Sequence, residues 1–172
     1  KGQSVLEIPT SLAYNEKGTP QVFMLEATLA DGEQDSAFVR KNVLVKAGRL
    51  SLYATDYLWG AQKNQNIEFP LIVKSNEDGE QVSNIKVVAD LKRSVWKKEI
   101  VADQKYPRYT QETFEMGQIE STTNNEGRTS LRFSPTELGS YTISVSLNDS
   151  IGNKIKKEYS LFAGLIWGYC GF

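Results

Sequence analysis

Apolar and polar residues alternate along most of the chain. Tyr141, Ile143, Val145 and Leu147 fall on one side of a run whose other side carries Thr142, Ser144 and Ser146. That period of two marks a strand with one buried face. Phe23, Leu25, Ala27 and Leu29 repeat it against Met24, Glu26 and Thr28. Further rows follow at Ile67, Phe69, Leu71 and Val73, at Ile85, Val87, Ala89 and Leu91, and at Leu131 and Phe133. No window of about a dozen residues carries the i, i+3, i+4, i+7 apolar stripe of a capped helix. The pattern predicts a nearly all-β chain.

Turn residues fall between the alternating runs. Asp31-Gly32, Asp78-Gly79, Glu126-Gly127 and Ile151-Gly152-Asn153 each separate one run from the next, with Gly supplying the positive φ of a tight reversal. Pro70 interrupts its run and has no N–H for a ladder bond, which predicts an edge strand or a bulge there. Residues 97–117 are less regular and contain Pro107; they read as a strand ending, a mobile loop and a new strand over 109–120. Counted this way, strands are expected near 4–8, 21–30 and 37–46, then near 49–56, 66–74, 84–96, 109–121, 128–134, 139–148 and 154–162.

The last seven fill one antiparallel two-sheet sandwich of about 100 residues. Residues 48–164 are therefore read as a complete domain and 165–172 as a linker or tail. Residues 1–47, with three strands, cannot cover both faces of a core. They are read as the C-terminal part of a preceding domain in preference to an appendage packed on its neighbour. The chain opens on Lys1 rather than Met and shows no signal-peptide pattern, as expected of a processed chain or an excised piece.

Composition narrows the chemistry. The 172 residues include 20 Lys+Arg, 21 Asp+Glu, no His and 1 Cys, for a formal net charge of −1. That balance gives no general reason to expect nucleic acid or an anionic membrane as a partner. Absence of His excludes Ser-His-Asp and Cys-His catalysis, His proton shuttles and His-ligated metals. One Cys makes neither an intrachain disulfide nor a Cys-rich zinc site. The longest apolar patch, residues 161–167, is far shorter than the roughly 18 residues that span a bilayer.

The remaining candidates have ordinary readings. The cations Lys92, Arg93, Lys97 and Lys98, flanked by Asp90 and Glu99, read as a solvated strand face. Asn76-Glu77-Asp78-Gly79-Glu80 offers oxygen ligands but lacks the spaced dozen-residue pattern and distal Glu of a calcium loop, so it reads as a turn. Asn148-Asp149-Ser150 is formally a glycosylation acceptor at a position where turn residues are expected anyway. Trp59, Trp96, Tyr106 and Tyr109 are read as core or interdomain packing residues, with a flat sugar-binding platform as the alternative. Glu112 and Glu115 are not distinguished from other carboxylates as a glycosidase pair. Tyr141, just after Gly139, is expected to bond a backbone group near its turn as a corner tyrosine does. No catalytic, cofactor-binding or metal-binding residue is assigned, no cofactor is expected, and binding residues are left open.

Several of these stretches, in order, resemble a known family. Residues 51–60 (Ser-Leu-Tyr-Ala-Thr-Asp-Tyr-Leu-Trp-Gly) resemble the opening strand of a macroglobulin-like domain of the alpha-2-macroglobulin family, in its bacterial branch. Leu91-Lys92-Arg93-Ser94-Val95-Trp96 is similar to its basic strand ending in Trp. Asn125-Glu126-Gly127-Arg128, Phe133-Ser134-Pro135 and Glu137-Leu138-Gly139-Ser140-Tyr141 resemble its Gly turn, strand and Gly-x-Tyr start. Residues 147–153 resemble the final hairpin, Phe162-Ala163-Gly164 the domain exit, and residues 23–45 the closing hairpin of a preceding domain. The match spans nearly everything except 165–172.

The resemblance implies a macroglobulin-like sandwich, similar to immunoglobulin and fibronectin type III folds, inside a large secreted, periplasmic or surface-attached protein. Members trap proteases through cleavage of a bait segment, and many react through a Cys-Gln thioester. Cys170-Gly171-Phe172 lacks the Glu that the thioester motif needs two residues after its Cys, so Cys170 is read as an incidental thiol. The expected role is a non-enzymatic scaffold of a broad-spectrum protease inhibitor. Its expected partners are neighbouring domains of the parent chain and, through the parent, target proteases, with no nucleic acid and no membrane insertion by this segment. The alternative is an immunoglobulin-like adhesion or carbohydrate-binding module of a bacterial surface protein.

Overall fold

The computed structural model describes residues 5, 7–9, 18–30, 36–58, 60–100 and 106–164. Ten strands follow one another along it: β1 Gln21–Ala30, β2 Ser36–Val45, β3 Leu50–Ala54, β4 Gly60–Ala61, β5 Ile67–Ser75, β6 Lys86–Glu99, β7 Arg108–Thr122, β8 Arg128–Phe133, β9 Gly139–Asn148 and β10 Lys154–Ala163. β1 and β2 form a separate hairpin. The others make a five-stranded sheet in the order β4-β10-β9-β6-β7 and a three-stranded sheet in the order β3-β5-β8. Pairing is antiparallel throughout except for β4, whose two residues run parallel to the end of β10. The fold is an antiparallel β-sandwich. Cys170 and the rest of 165–172, and Trp59, lie outside the described residues.

The alternating rows of the sequence meet between the two sheets. Leu50, Leu52, Phe69, Leu71, Val73 and Leu131 come from the small sheet, and Val87, Ala89, Ile143, Val145, Leu147 and Ile155 from the large one. Phe69 meets the Tyr159 ring edge-on at 4.9 Å between centroids, a favoured aromatic geometry. A second cluster of Ala61, Ile67, Tyr141, Leu161 and Ala163 closes the end of the sandwich near β4. Each residue is inward because the pleat alternates, and a slip of one position would expose the whole row.

Two expectations from the sequence need correction. Of the strand expected near 4–8, the described residues Val5, Glu7 and Ile8 are not in a strand. β5 is no edge but the centre of the small sheet. The β3–β5 ladder ends at Ala54↔Leu71, and the carbonyl of the next residue, Pro70, accepts the N–H and the hydroxyl of Thr55. Within an antiparallel strand the N and O of one residue point to the same side. The missing donor of Pro70 therefore faces the one flank where the ladder has stopped. Asp78-Gly79 and Glu126-Gly127 turn the chain as expected, with Gly79 and Gly127 at positive φ, and the first turn brings Gln81 back to bridge Lys74 of β5. β5 hands over to β6, and β7 to β8, across the sandwich from one sheet to the other.

In the hairpin, β1 pairs with β2 from Gln21↔Val45 to Ala30↔Ser36. One face gathers Phe23, Leu25 and Ala27 with Val43 and Val39, and the other carries Val22 and Met24 with Leu44 and Phe38. Val22, Met24, Phe38, Val39 and Leu44 all stand exposed.

Candidate functional site: the linker clasp and the projecting ribbon

Between hairpin and sandwich runs a short linker, 46–49, held by two side chains from distant regions of the chain. Asn76, just past β5, donates through Nδ2 to Gly48 O at 2.7 Å and Leu50 O at 3.0 Å. Its Oδ1 accepts from Lys46 Nζ at 2.9 Å and Ser51 Oγ at 2.5 Å. Both N–H donors and both acceptor lone pairs of that amide are thus engaged on the linker side. Asp149, at the β9–β10 turn, is 7% exposed. It accepts the N–H groups of Arg49, Ile151 and Asn153 and the Asn153 side-chain amide. Burial pushes this carboxyl up, but the donated bonds outweigh burial and hold it below the ordinary carboxylate value. Further back, Gly18 O accepts the Lys156 N–H of β10 at 2.8 Å. At Gly18 φ is +64, and an added Cβ would collide with the Lys154 carbonyl, so this contact requires glycine.

Neither Asn76 nor Asp149 is distinguishable in the sequence from ordinary turn residues. Their partners on and beside the linker lie 25–30 residues from Asn76 and 100 from Asp149, beyond the reach of any local pattern. Asn76 sits within the oxygen-rich stretch 76–80 that does not fit a calcium loop, and its own oxygen faces the linker. Asp78 instead accepts the Glu80 N–H at 3.0 Å, and that bond, followed by one from Ser75, holds its carboxyl below the ordinary value. Asn148 is exposed at the end of β9. No group of three His, Cys, Asp or Glu side chains able to hold a metal is found among the described residues.

A second surface lies at the far edge of the large sheet. β9 covers β6 only as far as Ser94↔Ser140, while β6 and β7 stay paired to Glu99↔Arg108. The two strands thus project as a free ribbon about 17 Å long at ~3.4 Å per residue. Lys92 pairs with Glu115 at 2.7 Å and Lys97 with Glu112 at 2.6 Å. Arg93 donates to Leu138 O at 2.9 Å and lies over the Phe114 ring. The cations are solvated, as read from sequence, but alternate between the two faces, Lys92 and Lys98 on one and Arg93 and Lys97 on the other, and Glu112 and Glu115 are taken by separate lysines. Trp96 and Tyr109, expected to be packed, are 67% and 58% exposed, and Tyr106 is exposed as well. None of the three belongs to the core of this chain. Trp96↔Gln111 and Lys98↔Tyr109 are cross-strand partners, which puts Trp96 and Tyr109 diagonally on one face of the ribbon.

Tyr141 behaves as expected. Its buried hydroxyl donates to Glu137 O at 2.9 Å and accepts the Glu137 N–H at 3.3 Å. This bond ties the start of β9 to the loop before it.

No family model matches the sequence, and no curated protein matches it significantly. Solved structures do. Salmonella alpha-2-macroglobulin reacted with methylamine superposes with a TM-score of 0.56 at 14% identity, over 90% of this chain and 11% of that one. The native conformation of E. coli alpha-2-macroglobulin gives 0.55 at 11% identity, over 84% of this chain and 10% of that one. A mutant of the Salmonella protein gives 0.53 at 16% identity, over 90% of this chain and 11% of that one. The fold is macroglobulin-like. In bacterial alpha-2-macroglobulins such domains sit within a much longer chain, and the present chain spans about a tenth of the structures it matches. Among the described residues no helix is long and apolar enough to cross a membrane.

Proposed function

We propose that the chain is a structural, non-catalytic segment of an alpha-2-macroglobulin-type protease trap, with the parent chain secreted, periplasmic or attached to the cell surface. The observation that carries this reading is the macroglobulin-like superposition over 90% of the chain, joined to the ordered motifs of the sequence. Residues 48–164 are one whole macroglobulin-like domain, and the β1–β2 hairpin is the end of the one before it. The apolar residues exposed on both faces of that hairpin support this division, because contiguous exposed apolar surface marks an interaction site. In the parent molecule the segment belongs to the rigid frame that carries the bait and moves as a body once the bait is cut. Its partners there are sister domains, and proteases are met only through the whole molecule.

The test is an immunoblot of the native source with antibody raised against this chain. A band several times larger than 19.3 kDa that breaks into discrete pieces on brief protease treatment is the expected result. A native product near the chain's own size overturns the reading. One observation favours the alternative of an adhesion or carbohydrate-binding module, the exposure of Trp96 and Tyr109 on one ribbon face. Binding on a glycan array that is lost in Trp96→Ala is the result that would establish it.

A further inference from the structure

A sheet edge offers unpaired N–H and C=O groups to any extended chain that meets it. Four strands hold edge positions in the sandwich: β3, β8, β4 and β7. Three of them are short and guarded. β3 has 5 residues, and Lys157 Nζ reaches its Leu52 carbonyl at 3.4 Å while lying over the Tyr53 ring. β8 has 6 residues, and Asn124 bonds both the N–H and the C=O of the first, Arg128. β4 has 2 residues, and farther along the same edge Gly18 O occupies the Lys156 N–H.

β7 is different. It has 15 residues, and no strand pairs with its outer side among the described residues. The register shift opposite Leu91/Lys92 separates it into two runs, leaving 108–115 as one unbroken run, of which 108–112 lie along the projecting ribbon. Charge along this ribbon is uneven. Lys86, Lys92 and Lys97 are each matched by a glutamate of β7. Towards the tip, Lys98 and Arg108 have no carboxylate within ion-pair distance among the described residues. Trp96 and Tyr109, of the residue types most enriched in binding hot spots, share the ribbon face of Lys98, while Arg108 lies on the other face, opposite Glu99.

We propose that the outer edge of β7 over residues 108–115 docks an extended segment of another protein chain. That segment carries a carboxylate beside Arg108 on one face and an apolar residue beside Tyr109 on the other, the face on which Lys98 of β6 stands one strand further in. The main chain of β7 supplies the ladder bonds of an added strand, and side chains of the ribbon set polarity and register. A peptide matches the repeat of free groups along the edge, whereas a glycan engages the aromatic face and leaves the edge open. The proposal does not depend on the protease-trap reading.

The experiment selects displayed random peptides on the purified chain and measures amide exchange of the chain with the enriched sequences. The expected peptides alternate in polarity and are rich in Asp or Glu. The expected exchange change is new protection at every second amide of 108–115, since only outward N–H groups gain a partner. The exposed double variant K98E/R108E should bind those peptides at least tenfold more weakly and select basic ones instead. Enrichment that ignores these charges, protection outside β7, or the absence of any enriched peptide overturns the proposal. So does glycan binding that depends on Trp96 with no peptide binding.

Discussion

Asp149 Oδ2 accepts the backbone N–H of Arg49 at 2.9 Å, joining residues that stand 100 positions apart. The bond closes the sandwich into a loop that begins at the linker and returns at the β9–β10 turn. Asp149→Ala strands the N–H groups of Arg49, Ile151 and Asn153 together. A loss of about 2–4 kcal/mol is expected from several bonds to a charged acceptor. A shift of the urea midpoint at unchanged slope is the measurement.

The same carboxylate gives an acid limb to stability. Its folded pKa lies below its unfolded value of about 3.9. The stabilisation is therefore complete above the unfolded value and vanishes as pH falls through the folded one. The gap in urea midpoint between wild type and Asp149→Ala should narrow from about pH 6 to about pH 3. A gap that stays constant over that range contradicts the assignment.

Tyr141→Phe removes only a hydroxyl, yet the Glu137 carbonyl and N–H both lose their partner in two part-buried hydrogen bonds. The expected cost is about 1–3 kcal/mol, read by thermal or urea unfolding. A neutral variant would mean that water replaces the hydroxyl.

Gly127 and Gly79 both have positive φ, +64 and +79. Alanine at Gly79 meets nothing within 4 Å and should cost only the left-handed backbone, about 1–2 kcal/mol. At Gly127 an added Cβ would stand 2.8 Å from Val82 N and 2.9 Å from Val73 O, both backbone atoms. Those atoms belong to the bonds Val82 N→Val73 O and Val73 N→Gly127 O, so movement breaks the turn. Gly127→Ala should be the more destabilising by at least ~1 kcal/mol; equal midpoints would refute the steric argument.

Amide exchange should divide the chain. The β1–β2 hairpin has exposed apolar residues on both faces, while β6 and β9 lie inside the large sheet. Hairpin amides are expected to exchange well before those of the sandwich strands, as local openings do where apolar contacts are few. Equal protection throughout would count against residues 1–47 and 48–164 as separate domains.

What the sequence made legible follows from how far each cause reaches. Strand positions and inward rows depend on a period of two, so Val87, Ala89 and Leu91 or Tyr141, Ile143 and Val145 announce themselves. The Tyr141 hydroxyl was also foreseeable, because its partner is only 4 residues away. Turn chemistry at Asp78-Gly79 and Glu126-Gly127 fixed a reversal but not the sheet that receives the next strand. Pro70 misled for a related reason: its missing donor demanded one open flank, which a central strand provides once its neighbour has ended. Asn76 could not be recognised as a clasp, since the groups it binds lie 25–30 residues away. Trp96 and Tyr109 were misplaced because aromatic residues in strands serve cores and surfaces alike, and only the ribbon's reach past Ser94 decides between them.

The clasp also determines how force would pass through the molecule. The linker is fixed to Asn76, at the end of a strand of the small sheet, and to Asp149, at the end of a strand of the large one. A pull or twist on the hairpin therefore enters both sheets at once. Tension is shared, and neither sheet is peeled from the other. The hairpin is a handle on the sandwich as a whole.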